Sequence, residues 1–451
     1  MNEAHDRMPW PLLAAVALTA AAAQWPLVFN PGYFSHDELQ WAVFAVQHRG
    51  CAFCNGLWTD LHAFQYRPLT FSIWMWLSRR WFAHPWGFHT AIVVAGAANA
   101  GMLAALLRRA GLSTVVAGLG ALAFALGPYA VFTVGWVATI ADLVWVGCTL
   151  GMGLLMQAAS PRPWRYGLVF VLTVLALLAK ETAVVIPALL AVAWWFSGRR
   201  RSWGIAALAA ALPVLAYLVL RLPVILGTPQ PAGSIYAWSL ASIPLRWAEF
   251  QWYPWVTNLL GSDGLLAHGL RGSHRYRALL AWLALCWALW RAGPRHLAAF
   301  LLAGAVALGP VLILDVAATW YGYGFSAAVA GVVALAWPRT SRAGRAVIAV
   351  VALVWVWHGV YVMRCIHRIG EQQSRFSPAL AAAVARAGGR TVRLQVQDER
   401  ERWIYQRLTH DIPSYDGVAI GNRVELVAPG ASADYRVEPD GRLRDLHPHG
   451  A

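Results

Sequence analysis

The sequence predicts an all-α polytopic membrane protein of about eleven transmembrane helices, followed by a small C-terminal α+β domain outside the cytoplasm. Three observations carry this. Hydrophobic residues make up 59% of the 451 and charged residues only 13%, and many separate apolar runs approach the roughly 20 residues that a bilayer-spanning helix needs. The net charge of +15 is concentrated in short connections. Those holding Arg108 and Arg109, Arg162 and Arg165, Arg199 to Arg201, Arg291 and Arg295, and Arg339, Arg342 and Arg345 contain no acidic residue, which marks them as cytoplasmic. The charge thus follows topology and does not indicate nucleic acid. Finally, the character changes near residue 363, beyond which 11 of the 21 acidic residues lie and apolar runs shorten. We therefore divide the chain into a membrane module, 1–362, and an external α+β domain, 363–451.

The first apolar run, Trp10 to Phe29, exceeds the 7–15 residues of a signal-peptide core and lacks a small-residue cleavage site, so it reads as a retained helix. With Arg7 inside, the run ends outside, where Pro31 and Gly32 stop it. The loop then presents His36, Asp37 and Glu38 at headgroup depth. This first external loop, residues 30 to about 85, also holds "HAFQYRPLTF". Pro68 biases Arg67 toward an extended conformation and suits the first helical turn. An arginine beside a helix N-terminus fits an anion, or else anchors to lipid headgroups. The helix that follows mixes Trp74, Trp76, Trp81 and Phe82 with Arg79 and Arg80, as an amphipathic helix lying in the interface would.

Between Arg7 and residue 370 there are eight acidic residues, Asp37, Glu38, Asp60, Asp142, Glu181, Glu249, Asp263 and Asp315, and all lean toward the external side. Asp60, Glu249 and Asp263 read as solvated loop carboxylates. Asp142 and Glu181 lie within apolar runs, where an ionisable group is expensive and so marks a candidate functional site. Lys180 is the single lysine among 36 basic residues. An ammonium is a compact point charge where a guanidinium is a broad fork, so a local need for lysine is implied; a lysine snorkelling from a helix end is the plainer alternative. Successive helical side chains point apart, so Lys180 and Glu181 require separate partners.

In the external domain "EQQSRFSPALAAAVARAG" predicts a helix stopped by Gly388 and Gly389. "TVRLQVQ", "RVELVAP" and "DYRVEP" alternate like strands, and "PDGR" reads as a tight turn. Cys51 and Cys54 form one C-x-x-C in an oxidising loop, which suits a local disulfide and not a zinc site. Among 26 tryptophans most read as interfacial belt residues. No Walker loop, H-E-x-x-H, G-x-S-x-G or D-x-D is present, which removes the usual signatures of ATPases, metalloproteases, serine hydrolases and nucleotide-sugar enzymes.

Taken in order, "HDE" after the first span, "YRPLT" before an interfacial helix, "GFHTAIVVAGAANAGMLAALLRR", "ADL" and "LLAKETAVVIPALL" resemble the GT-C membrane glycosyltransferases, and among them the bacterial and animal O-mannosyltransferase-like branch. The resemblance covers roughly residues 10 to 340. It implies transfer of a sugar from a polyprenyl-phosphate carrier to an acceptor hydroxyl of an envelope glycan, lipid or protein, at the outer face of the cytoplasmic membrane. It places the catalytic carboxylate on Asp37, with Glu38 beside it. Two cations of the family pattern are replaced, by Ile140 before "ADL" and by Trp320 in "TWYGYGFS". In the implied step a carboxylate takes the acceptor's proton as its oxygen attacks the anomeric carbon, with inversion. Arg67 and Lys180 would hold the departing phosphate, and His36, Tyr66, Asp142, Glu181, Tyr321 and Tyr323 would bind substrate or support the site. The resemblance fixes no cofactor, and a divalent metal stays open. Glu38 is alternatively a ligand to a divalent metal, and a carboxylate pair with one histidine does not choose between the two roles. Rival readings are a transporter or flippase of lipid-linked sugars, with buried acids as coupling groups, and a non-catalytic scaffold of the same fold.

Overall fold

The computed structural model describes residues 8–48, 50–157, 162–230, 234–256, 264–410 and 412–447; Arg7 and Asp263 lie outside them. Most of the chain is helical, and the helices begin where the sequence places proline in the first turn, as at Pro68, Pro85, Pro128 and Pro294. Among the described residues, five helices are long and apolar enough to cross a membrane: Pro85–Arg109, Val137–Met156, Arg201–Gly227, Pro294–Ile313 and Arg342–Arg386. Thr114–Ala125 and Pro128–Gly135, bent by 56°, make a sixth if taken as one span, and Trp10–Ala23, Trp164–Ala179 and Glu181–Phe196 are shorter apolar helices. The helix Arg201–Gly227 turns Leu208, Leu212, Leu215 and Val219 outward, each at least 60% exposed. Their spacing makes one apolar face that suits lipid.

The helix Trp10–Ala23 packs along Pro85–Arg109, and Trp164–Ala179 packs against both Ile140–Met156 and Arg201–Gly227. Lys180 interrupts the helical backbone, with φ −157° and ψ 137°, before a short 3-10 turn and the helix Ile186–Phe196. The segment "LLAKETAVVIPALL" is therefore two helices joined by a turn, with the charged residues at the joint.

The helix Arg342–Arg386, 45 residues long, would measure roughly 67 Å at 1.5 Å per residue. That is over twice the roughly 30 Å hydrocarbon core of a bilayer. The expected boundary at 362/363 falls inside this continuous helix, because hydropathy declines there without any helix-breaking residue. Gly388 and Gly389 end it with φ of +59° and +109°. Its packing is close at two glycines. A Cβ on Gly359 would lie 1.8 Å from the Leu126 carbonyl oxygen, and one on Gly370 would lie 1.8 Å from Asn30 Oδ1.

Beyond the helix, β1 (Val392–Val396), β2 (Ser414–Tyr415), β3 (Val418–Ala419), β4 (Val424–Val427), β5 (Tyr435–Val437) and β6 (Leu443–Asp445) are all short. One sheet has the order β4-β1-β5-β6, and β2 with β3 forms a separate hairpin. β1 is parallel to both β4 and β5, with Leu394 opposite Leu426 and Tyr435, and the helix Arg402–Thr409 lies between β1 and β4 in sequence. Three strands and the turn agree with the expectation from alternation. The short helix, the hairpin and β6 do not stand out in the sequence.

Candidate functional site

The loop after the first apolar helix is fixed from three directions. Asn30 Nδ2 donates to the Ile366 carbonyl at 3.2 Å, the Tyr33 N–H donates to Gln373 Oε1 at 2.8 Å, and His89 Nε2 lies 2.9 Å from the Gly32 carbonyl. Gly32 is obligatory here, since a Cβ would come within 2.2 Å of the Gly370 carbonyl oxygen. Ser35 then caps the helix His36–Gln47 and forms a capping box with Glu38. The Ser35 N–H donates to Glu38 Oε2 at 3.2 Å, and the Val137 N–H reaches Glu38 Oε1 at 3.4 Å.

This arrangement separates Glu38 from Asp37. Glu38 is 1% exposed and its carboxyl accepts from two backbone N–H groups, which favours a structural role over a share in the proton transfer or in a metal site. Burial first, and the adjacent Asp37 second, push it up to about 8. Asp37 is different. Its side chain is 23% exposed, it accepts from Ser35 Oγ at 3.2 Å, and His36 Nε2 stands 3.9 Å away. Asp37 is the carboxylate that faces water.

A stability signature follows. A carboxyl raised in the folded chain keeps a proton that the unfolded chain gives up near its ordinary value of about 4.3. Stability should fall as pH climbs from there to about 8 and level off above. Glu38→Gln, which loses one of two acceptors at a cost of about 1 kcal/mol, should remove that slope while keeping most activity. Thermal unfolding of parent and variant at pH 5 and pH 8.5 is the measurement; equal pH dependence in both would refute the assignment.

The other motifs converge on the same end of the bundle. Trp74 Nε1 donates to the Val137 carbonyl at 2.7 Å, and Thr70 Oγ1 to the Ala179 carbonyl at 2.7 Å. The helix Pro68–Trp81 thereby joins the turn that holds Glu38 to the turn that carries Lys180. Arg67 engages Glu181 with both Nε, at 2.7 Å, and Nη2. Its Nη1 makes no protein hydrogen bond among the described residues. Lys180 Nζ bonds Asp142 Oδ2 at 2.5 Å, with side chains only 4% and 2% exposed. Asp142 Oδ1 also accepts from Trp145 Nε1 at 2.9 Å, and Lys180 lies 5.1 Å over the Tyr321 ring. Lys180 and Glu181 thus have separate partners, as their adjacency requires. Each candidate phosphate-binding cation is already paired with a carboxylate, Arg67 through Nε and Nη2 and Lys180 through Nζ.

Tyr66 serves as support: its hydroxyl donates to the Trp58 carbonyl at 2.9 Å and its ring lies 5.3 Å below Arg221. The Tyr323 hydroxyl accepts from Asn99 Nδ2 at 3.1 Å, deep in the bundle. Asn99 Nδ2 also donates to the Leu143 carbonyl at 2.9 Å, so Tyr323 supports the helix of Asp142. Among the other acids, Asp60 is exposed as expected, while Glu249 is 7% exposed and paired with Arg246, a correction to its reading as a solvated group. Burial beside an available guanidinium explains it. Cys51 and Cys54 are free and exposed, not joined in the expected disulfide; the turn brings the Cys54 N–H to the Cys51 carbonyl at 3.3 Å without linking the sulfurs. No group of three His, Cys, Asp or Glu that could hold a metal ion occurs among the described residues.

Three residues of this end were not singled out by sequence. Arg221, inside an apolar helix and 1% exposed, donates to the carbonyls of Leu61, Ala63 and Phe64 and so holds the strand of chain leading to Arg67. Tyr236 bonds Gln65 and stands within electrostatic reach of Arg67, Glu181 and Asp37. Arg407, from the C-terminal sheet region, sits 5.5, 5.7 and 5.1 Å over the rings of Phe34, Trp136 and Trp403. Only Arg221 had a signal available, an arginine within an apolar run. No family model, curated protein or solved structure matches this chain.

Proposed function

We propose that the protein is a membrane glycosyltransferase that moves a sugar from a polyprenyl-phosphate carrier to an acceptor hydroxyl of an envelope glycan, lipid or protein, at the outer face of the cytoplasmic membrane. One observation supports the reading above others. Four motifs far apart in sequence, around residues 37, 67, 142 and 180, meet at one end of an apolar bundle, and among the described residues the only one of their carboxylates without an arginine, lysine or backbone partner is Asp37. They are the same motifs by which the chain resembles the GT-C enzymes.

A lipid carrier keeps its tail in the bilayer while its sugar projects into water, so the base must stand where a span ends, and Asp37 stands there. Asp37 accepts the acceptor's hydroxyl proton, the oxygen bonds to the anomeric carbon, and the bond from that carbon to the carrier's phosphate breaks with its electron pair on the phosphate. Arg67 Nη1 is the donor placed to meet the charge that develops there. The single displacement inverts the anomeric centre. Mass spectrometry of envelope glycans with and without the protein, followed by transfer assays with the purified enzyme, tests the activity. Unchanged glycans together with no transfer from any polyprenyl-phosphate sugar would refute it.

In this reading the shorter apolar helices also cross the membrane, giving about eleven spans, and the arginine-only connections lie in the cytoplasm. An alkaline phosphatase fused after residue 451 should then be active. A stable but inactive fusion would reverse the assigned sides.

A further inference from the structure

The bundle also holds a cavity of about 520 Å³, within the size range of sites for small ligands. It lies away from Asp37. Its inner limit is Trp145, the residue whose indole bonds Asp142, with Gly324 packed on that ring. From there it extends toward the opposite end of the bundle between walls of Leu103, Leu107, Val146, Leu190, Val332 and Leu335. The space exists because the facing positions are small: a Cβ on Gly331 would meet nothing nearer than Leu103 Cδ1 at 4.0 Å. At the outer limit the lining ends in three arginines, Arg109, Arg200 and Arg339, and no carboxylate is among the described residues that line the cavity. Arg200 and Arg339 are exposed and Arg109 is half-buried, so the rim is open to the surroundings.

We propose that this cavity is a binding site for an anionic glycerophospholipid of the cytoplasmic leaflet, with an acyl chain among the leucines and the phosphate at the three guanidinium groups. Charge decides the occupant. A neutral lipid would gain the apolar walls alone and a zwitterionic one brings its own cation to the arginines, whereas a net negative headgroup answers a positively charged rim with no opposing charge of its own. The apolar depth argues against a free inorganic or nucleotide phosphate, which would leave the walls without a partner. The arginines belong to the connections that carry positive charge, which puts the headgroup at the cytoplasmic surface. The tip of the chain would then press on Trp145 and so on the partner of Asp142 and Lys180. The bound lipid would brace that ion pair from below.

The test uses full-length protein stripped of lipid in a neutral detergent, with phosphatidylglycerol or phosphatidylcholine added at equal concentration. Phosphatidylglycerol should raise the thermal midpoint by several degrees more than phosphatidylcholine, as ligand linkage requires, and native mass spectrometry should show one retained molecule. The triple variant Arg109→Gln, Arg200→Gln, Arg339→Gln should lose the difference between the lipids. Gly331→Leu should fill the cavity without disturbing the helix and cut retention at least tenfold. Asp37→Asn should behave like the parent, so failure of the transferase reading leaves this result intact. Equal effects of the two lipids on the parent, or a phosphatidylglycerol preference that survives in both variants, would overturn the proposal. So would retention of a polyprenyl phosphate in place of the glycerophospholipid.

Discussion

Asp37→Asn should lower turnover by about 100-fold or more, the scale of a lost general base, while thermal stability and donor binding stay near those of the parent. Asparagine keeps the shape of the side chain, and its Oδ1 can still accept from Ser35 Oγ, the 3.2 Å bond that Asp37 makes. What disappears is the capacity to take a proton. Because the carboxylate is partly exposed and His36 lies 3.9 Å away from it, the fold does not depend on its charge in the way it depends on the buried pairs. Transfer rates measured on purified protein at saturating donor decide the matter, and a rate close to the parental one would remove Asp37 from the mechanism. Set beside Glu38→Gln, which should remain largely active, the contrast separates two adjacent carboxyl groups that the sequence presents as a pair.

The second large effect belongs to Lys180. Removing either partner of a buried ion pair strands the other charge, at a cost of about 3–5 kcal/mol, and Lys180 and Asp142 are among the least exposed charged side chains in the protein. Lys180→Ala and Asp142→Ala should each unfold at markedly lower temperature. The double variant Lys180→Met, Asp142→Leu should recover much of that loss, because no charge is stranded, yet remain inactive, because Lys180 also lies over the Tyr321 ring beside the Arg67–Glu181 pair. Arginine at position 180 should fail too, because a broad fork would replace a compact ammonium in a site where the side chain is only 4% exposed. If the double variant transferred sugar at the parental rate, Lys180 would serve the fold alone. If its stability were no better than that of the single variants, the pair would not be the source of the cost.

How far the sequence discloses this depends on how local each signal is. The apolar runs, the proline starts and the Gly388–Gly389 stop are local, and they are found where the pattern puts them. The unusual charges at 37, 67, 142 and 180 are likewise visible one at a time. Their pairing is not: Arg67 with Glu181, and Lys180 with Asp142, are contacts between distant segments that only the packing of the helices decides. Glu38 is instructive in the other direction. Ser35 and Glu38 stand in the spacing of a capping box, so a structural role was legible beside the catalytic one. Arg407 and Tyr236 had no such mark, since nothing near them in the chain distinguishes a guanidinium that will lie over three aromatic rings or a phenol that will meet Gln65.

The loop that carries Asp37 is fastened by Ile366, Gly370 and Gln373 of the long helix, and Arg407 of the domain beyond it covers Phe34 and Trp136. In the life of the molecule this imposes an order. The ribosome makes the Asp37 loop almost at once, and on the proposed topology that segment crosses the membrane while its fasteners are still untranslated. Every helix of the bundle can insert before residue 370 exists. The reactive mouth is therefore among the last parts to be finished, and a nascent chain halted after its apolar segments would hold all of the motifs around Asp37, Arg67, Asp142 and Lys180 without the brace that aims the first of them. If the proposed transferase reading holds, synthesis and activation are thereby joined: an incomplete chain in the membrane would have no completed mouth with which to consume lipid-linked sugar.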